Sequence, residues 1–172
     1  MEDARIIFRN FAGKEGQYNR EGDRNFCLLL DTGTADQMAQ DGWNVKTLRA
    51  REEGDEPQPY IQVSVSYRNQ PPTVVMVTSR GRTIVPEDMI EVLDWVDIAN
   101  VDLIINPYQW AVNGKTGIKA YLKSIYITIE EDALERKYAD VPEIGYQRGI
   151  EGQKPLAITD ESNVIEGEVV ED

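Results

Sequence analysis

Residues 101–129 read VDLIINPYQWAVNGKTGIKAYLKSIYITI, two runs rich in β-branched and aromatic residues that meet at Asn113-Gly114. Such residues suit a pleated, half-buried surface. The pattern predicts a strand over Val101–Asn106, another over Tyr108–Val112, and a long strand over Ile118–Ile129. Asn-Gly is the strongest short-range hairpin signal, although Lys115-Thr116-Gly117 suggests a loop longer than two residues. On the long strand Lys119, Tyr121 and Lys123 share one face, opposite Ala120, Leu122 and Ser124.

Working outward, the preceding chain is mostly short strands. Ala4–Asn10 reads as the first, and Phe11–Asp23, rich in Gly, Asn and charge, as a loop or long hairpin connection. Arg24–Asp31 contains the apolar run Phe26-Cys27-Leu28-Leu29-Leu30 and predicts a buried strand. A short helix starts at Thr34, with Thr34 as N-cap, and stops at Gly42. Trp43–Leu48 is strand-like, and residues 49–59 form an exposed loop. Tyr60–Tyr67 alternates, with Ile61, Val63, Val65 and Tyr67 on one face. After Pro71-Pro72 comes Val74–Thr78, then a basic turn at Ser79-Arg80-Gly81-Arg82-Thr83. Pro86–Trp95 fits a short helix, with Pro86 in its first turn and Glu87 and Asp88 near its positive end. Glu130–Tyr138 looks helical.

Many short strands with one or two short helices indicate a mainly β fold. An OB-fold-like five-stranded Greek-key barrel fits them, and an SH3-like barrel or a β-sandwich fits the same composition. The expected organisation is a domain over residues 1–141 and a disordered acidic C-terminal tail over 142–172.

The 172 residues carry a formal charge of −13, unevenly placed. Residues 1–128 hold 14 Lys and Arg against 18 Asp and Glu; residues 129–172 hold 4 against 13. The body is therefore near balance and can still carry a basic groove. No apolar run reaches the roughly 18 residues of a membrane span, and the N-terminus lacks a signal-peptide pattern. The expected compartment is the cytoplasm.

The absent chemistry is informative. The chain has no histidine and a single cysteine, Cys27, which removes the commonest general base, the usual triad partner and the usual zinc ligands. Asn113-Gly114-Lys115-Thr116 resembles the end of a phosphate-binding loop, but position 109 is Gln109 where that motif requires glycine. The expectation is a non-enzyme with no cofactor and no metal.

Lysines flanking an aromatic suit single-stranded nucleic acid, because ammonium groups meet phosphates while a base stacks on the ring. An ordinary solvated face is the competing explanation for Lys119, Tyr121 and Lys123. Trp110 and Lys115, at the neighbouring hairpin, extend the same candidate surface, with a core position the alternative for Trp110. Arg80 and Arg82 form the basic turn, where backbone and guanidinium could both approach phosphate. Trp43, Arg49 and Arg20 add an aromatic and two basic positions in or beside the connections. Asp160–Asp172 contains six acids and no Lys or Arg. Asp160, Glu161, Glu166, Glu168, Glu171 and Asp172, interspersed with Val164, Ile165, Val169 and Val170, could compete with nucleic acid for a basic groove or meet basic pockets on partner proteins.

The blocks Leu93-Asp94-Trp95, Val101–Tyr108, Trp110 and Gly114–Leu122, with Ile7-Phe8-Arg9-Asn10-Phe11, Gly13 and Asn25-Phe26, resemble phage-encoded single-stranded-DNA-binding proteins. The resemblance covers roughly residues 4–140. It implies an OB fold, sequence-tolerant binding of single-stranded DNA in replication and recombination, and an acidic tail that contacts other replication and recombination proteins. The tail here closes on Val169-Val170-Glu171-Asp172, without the terminal aromatic of some such tails. A homodimer suits a short single-barrel protein that must track a strand. The competing functional classes are a protein-interaction or regulatory module and a virion assembly component.

Overall fold

The computed structural model describes residues 1–49, 52–68, 70–132, 137 and 141. Met1–Asp132 form one compact unit. The tail from residue 142 lies outside the described residues, as does most of the helix expected over Glu130–Tyr138, of which Glu130–Asp132 are not helical. Eight strands are described: β1 Arg5–Asn10, β2 Arg24–Leu29, β3 Lys46–Leu48, β4 Gln58–Val65, β5 Thr73–Thr78, β6 Gly81–Ile84, β7 Ile98–Val112 and β8 Lys115–Ile129. Helix α1 spans Thr32–Asp41 and a 3₁₀ helix spans Glu87–Asp94.

The strands form one mainly antiparallel sheet in the order β1-β2-β4-β8-β5-β6, with β3 on β4 and β7 on β8. The mainly β class therefore stands, as a curled open sheet like a half-barrel with two short helices. β7 runs antiparallel to β8 over their whole lengths. Along the other edge of β8, β4 pairs in parallel at Ala120 and Tyr121, and β5 pairs in parallel from Ser124 to Thr128. The chain ahead of β1 reaches the outer edge of β7: Ala4 N–H donates to Val101 O at 2.8 Å and Leu103 N–H to Met1 O at 2.9 Å.

Several local expectations change. β7 runs unbroken through Pro107, because that residue sits where only one edge of the strand is paired and its missing N–H costs no ladder bond. The hairpin turn has two residues, Asn113 and Gly114, at φ 51° and 78°. Two successive left-handed residues match the twist of the flanking strands, so Lys115-Thr116-Gly117 belong to β8 and not to a loop. The basic segment after β5 is a turn only at Ser79-Arg80; Gly81–Ile84 returns along β5 as β6. The cap of α1 is Asp31, not Thr34: Thr34 donates its amide to Oδ1 and its hydroxyl to Oδ2 of Asp31, each at 2.8 Å. These bonds, the backbone one foremost, hold the Asp31 carboxyl below its ordinary value. The contribution of the cap is complete above the ordinary carboxylate pKa and is lost as pH falls through the lowered folded value. Gly42 ends the helix as expected, in the left-handed region.

The inner face of the sheet is the core. Alternate residues Ile61, Val63 and Val65 of β4 and Ala120 and Leu122 of β8 meet Leu28, Val74, Val101 and Leu103 there. Phe11 and Phe26 stack at 5.4 Å between ring centroids, both with no exposed surface. The 3₁₀ helix closes the core with Ile90 and Leu93, which eclipse because residues three apart superpose in such a helix. Asp94 and Arg9 tie this plug to β1. The Asp94 carboxylate accepts from the N–H groups of Phe11 and Ala12 at 2.7 and 3.0 Å, and Arg9 donates to Leu93 O and Val96 O. No helix among the described residues is long and apolar enough to cross a membrane.

Removing one ring of the stacked pair leaves a cavity that close-packed neighbours refill only in part. Phe26→Ala is expected to lower the unfolding free energy by about 3–5 kcal/mol, seen as a lower urea midpoint at unchanged slope.

Candidate nucleic-acid interface

Residues paired across a ladder share a face, so the register identifies the outer surface. Asn10, Asn25, Ser64, Tyr121 and Asn106 form one row across β1, β2, β4, β8 and β7. Beside it, Tyr108 stands opposite Lys119 and Trp110 opposite Gly117. This face carries polar, basic and aromatic groups, while alternate residues of the same strands fill the core.

The aromatic and basic groups touch. Tyr108 meets Tyr121 edge-on at 5.9 Å between centroids and an interplanar angle of 88°. Lys119 Nζ lies 5.1 Å from the centroid of the Tyr121 ring. Trp110 lies against the backbone of Gly117, so closely that a Cβ there would sit 2.7 Å from Cζ2 and 2.8 Å from Cε2 of the indole. Next to it a cleft of about 140 Å³ opens, lined by Trp43, Gln62, Ser64, Trp110, Ile118 and Lys119 among others. The Gly42–Trp43 peptide is held from both sides, by the Trp43 N–H donating to Met38 O and by the Ile118 N–H donating to Gly42 O, each at 3.0 Å.

Lys119, Tyr121, Trp110 and Trp43 are thus gathered at one place. Trp110 takes an outer-face position, half-buried, and is not among the core residues; Trp43 lines the cleft while packing on the core. Lys123 is exposed at a bulge, passed over between the pairs Ile104–Ser124 and Ile105–Leu122. Lys115 stands at the hairpin tip opposite Val112, two residues from Gly117 on the same strand.

The other expected positions lie apart. Arg82 pairs with Val77, which pairs with Thr128, nine residues along β8 from Lys119, or up to about 30 Å of strand. Arg80 occupies the turn before it, and the N–H of Ser79 already donates to a carboxylate, that of Glu131. Arg20 is exposed in the β1–β2 loop and pairs with Asp23 at 3.2 Å. Arg49 is exposed just beyond β3 and is not a lining residue of the cleft. Asp160, Glu161, Glu166, Glu168, Glu171 and Asp172 lie outside the described residues. Among the described residues no cluster of His, Cys, Asp and Glu could hold a metal ion. Cys27 is half-buried on the outer face opposite Gln62, and burial pushes its thiol pKa up.

Sequence reasoning missed Tyr108, Gln62 and Ser64 as members of this surface, and Gly117 as the seat of Trp110. The signal for Tyr108 was present: reading Asn113-Gly114 as a two-residue turn places Tyr108 opposite Lys119. Gln62 and Ser64 were on the polar face of an alternating strand, but only the parallel pairing of β4 with β8 brings them to Tyr121.

Comparison with known proteins bears on this surface. No curated protein sequence matches the chain. Among solved structures, the single-stranded DNA-binding protein from bacteriophage Enc34, in complex with ssDNA, is similar at 14% sequence identity, a TM-score of 0.50 and coverage of 76% of this chain and 85% of that chain. A single-stranded DNA binding protein encoded by bacteriophage T7, gp2.5, matches at 14% identity and a TM-score of 0.34, covering 84% of this chain and 99% of that chain. At this identity the Enc34 likeness concerns the fold. A family model, the phage ssDNA-binding domain, matches residues 1–172. The chain belongs to the phage ssDNA-binding domain family.

Proposed function

We propose that the outer face of β2, β4, β8 and β7 binds single-stranded DNA with little sequence preference and without catalysis. The observation that carries this reading is the grouping of Lys119, Tyr121, Tyr108 and Trp110 beside the Trp43 cleft. Every base has a π-face, so ring stacking tolerates any sequence, while the ammonium groups meet phosphates. The family supports the reading, and so does the fold likeness to an Enc34 protein whose structure is a complex with ssDNA.

The role follows from this chemistry. Covering exposed strands during phage DNA replication and recombination, in the host cytoplasm, requires stacking and charge but no general base. The acidic tail, including Asp160, Glu161, Glu166, Glu168, Glu171 and Asp172, contacts replication and recombination proteins and competes with DNA for the lysines. A homodimer extends the track along the strand.

Binding of labelled oligo-dT, followed by anisotropy and tryptophan quenching, is the direct test. Affinity is expected to fall steeply with salt, because phosphate contacts release counterions. No binding at micromolar protein, even with the tail removed, would favour the protein-interaction module instead. Tyr121→Ala should weaken binding by about 1–3 kcal/mol, the worth of one stacked base. Lys119→Gln should flatten the salt dependence by about 0.7 in logarithmic slope. Gly117→Val tests the indole seat: it should lift Trp110 from the strand and weaken quenching by DNA while the fold persists by circular dichroism. Truncation before Asp160 should leave the melting temperature unchanged and DNA affinity unchanged or raised; loss of binding would overturn the competing role of the tail.

A further inference from the structure

The outer face of β8 continues past the bulge at Lys123. Tyr126 follows, set by the register beside Val75 and, one strand further, Ile84; Thr128 is set in the same way beside Val77 and Arg82. Arg82 therefore stands on the same side of the sheet as Lys119 and Tyr121. Tyr126 and Ile84 are exposed between them, leaving apolar ground on which bases can rest.

At the end of this line the β5–β6 turn already holds an anion. The backbone N–H of Ser79 donates to Oε2 of Glu131 at 2.9 Å, and its hydroxyl donates to Oε1 at 2.7 Å. One residue thus grips both oxygens of a carboxylate, as it would the two non-bridging oxygens of a phosphodiester, and exposed Arg80 and Arg82 flank it. The grip lies at the exposed surface, so exchanging one anion for another carries little desolvation penalty.

We propose that the Ser79–Arg82 turn is a second phosphate-binding site for single-stranded DNA, held in the free protein by the Glu131 carboxylate and taken over by a backbone phosphate in the complex. The proposal rests on the DNA-binding reading above and extends it. The Lys119–Tyr121 face takes one part of the strand, and the turn takes a phosphate further along β8. A strand must be long enough to reach both, so the two sites act together only on longer DNA.

Anisotropy with the full chain and labelled oligo-dT of about four and about thirty nucleotides, lengths at the lower limit of and beyond the roughly 4–16 nucleotides of one OB fold, tests this. Glu131→Gln should bind the longer strand about threefold more tightly than wild type, with a salt slope steeper by about 0.7. On the shorter strand the two should bind alike. Adding Ser79→Ala to Glu131→Gln should remove most of the gain, because the hydroxyl donor is lost and only the backbone N–H is left; thermal melting verifies that both variants fold. Equal affinity of wild type and Glu131→Gln for the longer strand overturns the proposal while leaving the DNA-binding reading intact. A gain that survives Ser79→Ala undiminished also overturns it, since removal of a charge alone then explains the effect. Failure of the wild-type chain to bind either strand overturns the DNA-binding reading itself.

Discussion

β8 commits both edges to backbone pairing, and the rest of the unit is arranged around that constraint. β7 takes one edge for its full length, while β4 and β5 divide the other between Ala120-Tyr121 and Ser124–Thr128. A long strand that serves two neighbours on one edge must bend between them. The bulge at Lys123 supplies the bend, since an extra residue increases local twist. It also keeps the faces in order: Ala120 and Leu122 point to the core before it, and Ile125 and Ile127 after it.

The same geometry separates stability from recognition. Core and outer face use alternate residues of the same strands, so Leu122 and Tyr121 are neighbours in sequence with opposite tasks. The aromatic groups of the outer face are held by contacts rather than by burial. Trp110 rests on Gly117, where no side chain fits beneath the indole, and Tyr108 braces Tyr121 from the side. A preset ring offers its face to a base without first losing rotamer freedom.

The acidic composition also acquires a structural account. Many carboxylates of the body satisfy backbone N–H groups: Asp94 those of Phe11 and Ala12, Asp31 that of Thr34, Asp102 that of Asp3, and Glu131 that of Ser79. Arg20 and Arg24 pair with Asp23 and Glu87, whereas exposed Lys115, Lys119 and Lys123 meet no carboxylate among the described residues. A chain of net negative charge thus presents uncompensated cations on the one face where aromatics gather. Arg24, basic by composition, is structural instead: it donates to Phe11 O and Glu87 and lies over the Tyr67 ring.

Periodicity alone determined the mainly β class, the inward set Ile61, Val63 and Val65, and the shared outer side of Lys119 and Tyr121, because a pleated strand alternates faces whatever lies beside it. The stop at Gly42 followed from glycine's left-handed freedom. The expected alternation of Lys123 against Ser124 fails at the bulge, after which Ile125 and Ile127 face the core and Ser124 the outer side. Charge counting alone located the acid excess beyond residue 128. What the sequence did not determine were features set by partners distant along the chain. β6 was hidden because Gly81–Ile84 is strand only through pairing with β5, and β7 crosses Pro107 only because its far edge is open there. The site is assembled in the same way. Trp43 reaches Trp110 through the bridge to Ile118, Gln62 and Ser64 reach Tyr121 through a parallel pair, and Arg82 is carried along β8 away from Lys119. Local pattern states which side of a strand a residue occupies; only the closed network of backbone hydrogen bonds states what stands next to it.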